Sequence, residues 1–175
     1  IFIKDALSDN IDFDFVVRYV SVRLPDHLLN NVDVIYVGQF KDLIDREVNA
    51  LYEDGAIYIT NEQDSEMDII DDLIHEIAHS NEPKFQELIY GDGKLEKEFL
   101  AKRKSLYNVL KRNPKYNIPI RFTVDPGYHE EIDDFLYKDV TYSSLWQMVP
   151  GIFPSPYAAT SLREYYARGF EEYFM

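Results

Sequence analysis

Asp71-Asp72-Leu73-Ile74-His75-Glu76-Ile77-Ala78-His79 places H-E-x-x-H inside an apolar pattern of helical period. That combination is a zinc-hydrolase signature. Residues four apart share one face of a helix, with Cβ atoms about 5–6 Å apart. His75 and His79 can therefore each direct a nitrogen at one ion about 2.0–2.1 Å away. Glu76, one position round from His75, suits a base that takes a proton from metal-bound water better than a ligand.

Outward from the motif, Ile70, Leu73, Ile74, Ile77 and Ala78 fall at i, i+3, i+4, i+7 and i+8, a single buried stripe with the histidines on its edge. Ser65 with Asp68 forms a start signal of the capping-box type. Glu66, Asp68, Asp71 and Asp72 suit the positive end of the helix, and Pro83 is expected to stop it. The bland alternative is a surface helix with two solvated histidines. Against it, two of the chain's four histidines occupy this one spacing.

With 175 residues, 46% hydrophobic and 15% aromatic, the chain is long and apolar enough to fold as one domain. Absence of cysteine leaves His, Asp and Glu as the only strong metal ligands. A net charge of −14 repels nucleic acid and anionic membranes at long range and favours basic or neutral peptides. No apolar run reaches the ~18 residues of a membrane span, and no signal peptide opens the chain. Its start at Ile1 raises the expectation of a mature or excised piece of a larger protein.

Along the chain, residues 1–24 mix strand-like and helix-like periods. Asp26 to Asn31 reads as a short helix and Val32 to Val37 as a strand. Phe40 to Tyr52 keeps helical spacing, and Asp54-Gly55 turns the chain into a second strand, Ala56 to Thr60. Placed just before the motif helix, that strand is expected at the sheet edge, where Ile57, Tyr58 and Ile59 would hold an extended substrate by main-chain pairing. Further on come an amphipathic helix from Lys94 to Arg112, a third strand from Ile118 to Val124, and short helices at His129 to Tyr137 and Tyr142 to Met148. Ser161 to Phe174 closes the chain as a helix with a strongly apolar stripe.

A catalytic zinc wants a third protein ligand and an open position. Glu164 stands near the start of the last helix, at the border of its stripe. Spacing alone leaves Glu82, His129, Glu130 and Glu131 open as rivals, and Glu164 also fits a capping box with Ser161 and an i, i+4 pair with Arg168.

The segment from Ser155 to Phe170 resembles the C-terminal motif of the anthrax lethal factor-like zinc metallopeptidases, which include the Pro-Pro endopeptidases. In that family a Tyr lies seven residues before a ligand Glu, which is followed by two aromatics, Ala and, three positions on, Phe. Tyr157, Glu164, Tyr165, Tyr166, Ala167 and Phe170 match, and His75-Glu76-x-x-His79 matches the other half. The resemblance implies an α+β, zincin-like metallopeptidase domain of the gluzincin type. It implies a small mixed sheet and an active-site helix packed on the C-terminal helix. His75, His79 and Glu164 would then bind Zn2+, with Glu76 as base and Tyr157 as donor to the oxyanion.

Ala78 replaces the family's Gly, and Arg168 stands where a carboxylate would orient a ligand histidine, a role reassigned to Asp71. The span from His79 to Glu164 is long, so an insertion is expected at about 94–140. The expected activity is zinc-dependent endopeptidase action on a protein or peptide through a Glu-activated water. The alternatives are an inactive zincin-like binding module, or the peptidase domain of a larger toxin or virion protein, secreted or delivered.

Overall fold

The computed structural model describes residues 1–175 as a mixed α+β chain. Cα packing divides it into two compact units, Ile1–Phe85 with Phe170–Met175, and Gln86–Gly169. The 94–140 segment expected as an insertion lies in the second.

In the first unit the elements are β1 (Phe2–Ile3), α1 (Phe13–Arg23), α2 (Asp26–Leu29), β2 (Val34–Val37), α3 (Lys41–Arg46), β3 (Ala50–Glu53), β4 (Ala56–Ile59) and most of α4 (Glu66–Tyr90). The sheet order is β1-β2-β4-β3. Strands β1, β2 and β4 run parallel, and β3 pairs antiparallel with β4 in the register Tyr52↔Ile57. One face is closed by α1 and α4: Val16, Val20 and Leu24 meet Ile57, Ile59, Ile69, Ile70, Leu73, Ile74 and Ile77. Phe170, Phe174 and Met175, from the end of the last helix, pack against the same core. On the other face Tyr36 stacks on Tyr58 at 5.1 Å.

Local structure resolves or revises several expectations. The ambiguous N-terminal region divides into the short strand β1 and the helix α1, which Asp12 caps by accepting from the Phe15 N–H at 3.0 Å. The helix expected over 40–52 ends at Arg46, where Glu47 turns left-handed at φ 52°. The residues beyond it become β3, because pairing with β4 outweighs their helical spacing. Within α4 two helices meet across a kink at Phe85, φ −112° and ψ 15°, two residues beyond Pro83, so the motif helix ends near the proline as expected and a further helical stretch runs on to Tyr90. Ser65 starts α4 as expected, accepting from the Asp68 N–H at 3.3 Å.

The expected edge strand 56–60 is likewise corrected. With partners on both sides, β4 is interior and β3 forms the edge. Asp54 and Gly55, with φ 45° and 85°, form the tight hairpin turn whose twist suits antiparallel strands.

The second unit contains the end of α4, α5 (Lys94–Leu110), α6 (Glu130–Asp134), α7 (Tyr142–Met148) and the start of α8 (Leu162–Phe174). Its core joins Phe99, Leu106 and Leu110 of α5 to Phe122, Ile132, Phe135, Leu136, Val140, Leu145, Val149, Phe153, Ala158 and Ala159. The strand expected at 118–124 is a 3-10 turn over Ile120–Thr123. Pro119 removes a donor there, and Phe122 points into the core while Ile120 is 92% exposed.

Gly55→Ala should destabilise the hairpin, since a Cβ would sit 2.7 Å from Asp33 Oδ2 at a positive φ. The expected cost is roughly 1–3 kcal/mol, read as a lower urea midpoint.

Candidate metal centre

The rotation of α4 is set by its buried stripe, which leaves His75 and His79 at the border of the core with side chains 16% and 11% exposed. Their rings lie 4.9 Å apart, nearly edge-on at 76°. Each ring is backed by a buried carboxylate. His75 Nδ1 faces Glu171 Oε2 at 3.4 Å, and His79 Nδ1 faces Glu82 Oε2 at 3.1 Å. A carboxylate on Nδ1 favours the tautomer whose Nε2 lone pair can bind a metal.

Glu76 is buried, 9% exposed, and its Oε2 accepts from the Tyr52 N–H at 2.7 Å. Tyr52 belongs to the edge strand, and its hydroxyl donates to the Asn31 carbonyl at 3.1 Å. The base candidate is thus tied to main chain that is itself anchored.

Beside this group Asp72 accepts from Gln63 Nε2 at 2.8 Å. Burial, reinforced by the Glu76 and Asp68 charges, pushes its pKa up to about 6, although the Gln63 bond and His75 pull the other way. Asp72, Asp71, Asp68, Asp64, Glu62, Gln63 and Asn49 line an acidic cleft.

Glu164 and Tyr157 belong to the second unit. Glu164 is in the first turn of α8 and its N–H donates to Ser161 Oγ at 3.2 Å, so the capping half of its alternative reading is real. Tyr157 opens a 3-10 turn over Tyr157–Ala159 and is 41% exposed. The Tyr142 ring lies 6.4 Å from it. Burial first, then the charges of Asp133 and Glu164, raise the Tyr142 hydroxyl pKa, so that group stays neutral.

The rivals have other work. Glu82 backs His79, and His129 Nε2 pairs with Asp125 Oδ2 at 2.8 Å. Glu130 and Glu131 are exposed in the first turn of α6. Ile57 and Ile59 are fully buried in the core and Tyr58 is stacked on the far face of the sheet. The substrate-binding role expected of these three therefore fails. It depended on an edge position that β4 does not have.

Two partners escaped the sequence reading. Glu171 is a carboxylate on His75 Nδ1. The available signal was its spacing: Glu171 lies seven residues after Glu164, two turns along one helix face. No local pattern announces the Tyr52 N–H. Comparisons of the chain with models of known protein families, with curated proteins and with solved structures find no match. No helix is long and apolar enough to cross a membrane.

The folded pKa of Asp72 lies above that of an unfolded aspartate. Its contribution to stability is present below about pH 4 and lost as pH rises through about 6, where keeping the ionised form buried costs roughly 1–3 kcal/mol. Asp72→Asn retains an acceptor for Gln63 without charge. With chelator present, it should raise the urea midpoint near pH 7.5 by an amount of that order and leave it unchanged near pH 4.

Proposed function

We propose that the chain is a zinc-dependent endopeptidase whose metal is held by His75, His79 and Glu164, two imidazoles and a carboxylate. The observation that carries this reading is the backing of both motif histidines on Nδ1 by buried carboxylates. An ordinary solvated histidine pair does not need such orientation, whereas metal-binding imidazoles almost always have it. The donor set of two imidazoles and a carboxylate is one that catalytic zinc takes. The match of residues 155–170 to the lethal factor-like motif supports Glu164 over its rivals, and a zincin-like fold goes with it.

When bound, zinc would polarise the scissile carbonyl and lower the pKa of its water toward ~7. Glu76 accepts the proton of the attacking water and delivers it to the departing amine as the C–N bond breaks. Its hydrogen bond to the Tyr52 N–H holds the carboxylate in one orientation through both transfers. Tyr157 donates its hydroxyl proton in a hydrogen bond to the carbonyl oxygen as negative charge develops there. The free sheet edge nearest Glu76 is β3, so an extended peptide would add to Ala50–Glu53 by main-chain pairing rather than to β4. The excess of acidic groups favours peptides with neutral or basic side chains.

The purified chain should carry about one zinc and cleave members of a proteome-derived peptide library, with cleavage lost on chelation. Zinc-free protein from chelator-free preparations would remove the reading. Glu76→Gln keeps an acceptor for Tyr52, so it should retain zinc and lose turnover by a factor on the order of 10²–10⁴. Proteolysis at the wild-type rate would exclude Glu76 as the base. Tyr157→Phe should lower kcat and kcat/KM together, because the lost bond forms only in the transition state. A change confined to KM would make Tyr157 a substrate contact.

A further inference from the structure

Arg103 is a long cationic side chain on α5 with no exposed surface. Its guanidinium lies between the rings of Phe99 and Phe122, 4.7 and 5.0 Å from their centres. It donates to four main-chain carbonyls. Nε bonds Ala159 O at 2.9 Å, Nη2 bonds Thr160 O at 2.6 Å, and Nη1 bonds Phe122 O at 3.2 Å and Asp125 O at 2.9 Å. Burying a cation is expensive unless its donors are satisfied, and here the acceptors come from two short 3-10 turns and the residues just after them, outside any sheet or α-helix ladder. Burial lowers the guanidinium pKa only to about 10, so the group remains charged at neutral pH.

Two of the four carbonyls lie between Tyr157 and Glu164. Ala159 ends the turn that Tyr157 opens. Thr160 returns to that turn, its N–H and hydroxyl both donating to Tyr157 O at 2.9 and 2.8 Å. Ser161, next along, accepts from the Glu164 N–H. Leu162 N–H donates to Pro126 O at 2.8 Å, and the neighbouring Asp125 carbonyl is itself held by Arg103. One planar fork thus ties the tyrosine turn, the entry to α8 and the loop beneath them to the middle of a rigid helix.

We propose that Arg103 is a positioning residue for the reaction, fixing Tyr157 and Glu164 relative to each other by clamping the carbonyls of Ala159 and Thr160. This inference rests on the zinc-peptidase reading of those two side chains. Lysine offers a point charge in place of the fork and cannot reach all four acceptors in the same geometry.

The test compares wild type with Arg103→Lys and Arg103→Gln in the whole chain. It uses amide hydrogen exchange, zinc affinity by chelator competition, and kcat and KM on a peptide that the wild type cleaves. In a folded variant the amides of residues 158–164 should exchange at least about tenfold faster while those of the α4 stripe are unchanged. Zinc should bind about 10–100-fold more weakly, and kcat should fall about 10²-fold with KM within about threefold. Unchanged exchange at 158–164 in a folded variant overturns the clamp. Faster exchange with kcat and zinc affinity within about twofold of wild type overturns the positioning role. Failure of both variants to fold also overturns it, since Arg103 would then serve folding as a whole. A wild type that binds no zinc and cleaves nothing defeats the peptidase reading instead, and the exchange pattern still decides whether Arg103 holds the segment.

Discussion

The burial of one stripe of α4 against the sheet governs the site. Ile69, Ile70, Leu73, Ile74 and Ile77 are each at most 3% exposed, and removing such a side chain from water contributes ~1.5–3 kcal/mol. Turning the helix by one residue, about 100°, would forfeit several of these contributions together. No surface hydrogen bond competes with that. The rotation is therefore held firmly, and the two histidines reach the border of the core without needing a restraint of their own.

Orientation of the rings is a finer matter that packing does not decide. Buried carboxylates supply it, Glu82 from the next turn of α4 and Glu171 from the far end of the chain. Burying Asp72, with the charges of Glu76 and Asp68 nearby, has an electrostatic cost, visible in its raised pKa. A divalent cation would offset this cost, because its charge becomes the largest in its surroundings. The same crowding fits a chain of net charge −14 whose strong candidate metal donors, in the absence of cysteine, are imidazoles and carboxylates.

The second unit solves a different problem. Between Asn113 and Ser161 regular structure is short and interrupted, so main-chain carbonyls must be satisfied without ladders. The Arg103 guanidinium does this at four of them, and its aliphatic stem and flanking rings belong to the same packed core. In this way a loop bearing Tyr157 gains the stiffness that a helix or strand would otherwise provide.

Much of the site was legible because it is local. The i, i+4 histidines, the apolar stripe, the Ser65 cap and the Asp54-Gly55 turn each depend on residues within two helical turns or one hairpin, and each takes the form its spacing implies. Where the reading failed, a distant partner outweighed a local preference. Residues 50–53 became a strand because β4 was there to pair with, and β4 became interior because β2 took its other side. Residues 120–123 became a turn where no strand lies beside them. The sequence alone determined which helix carries the histidine pair and how the two rings are phased, since a period of 3.6 is written in neighbouring residues. Only the tertiary structure decided that Glu171 backs His75, that the Tyr52 N–H holds Glu76 and that Arg103 grips the tyrosine turn. Those contacts join residues far apart along the chain, and no periodicity encodes them.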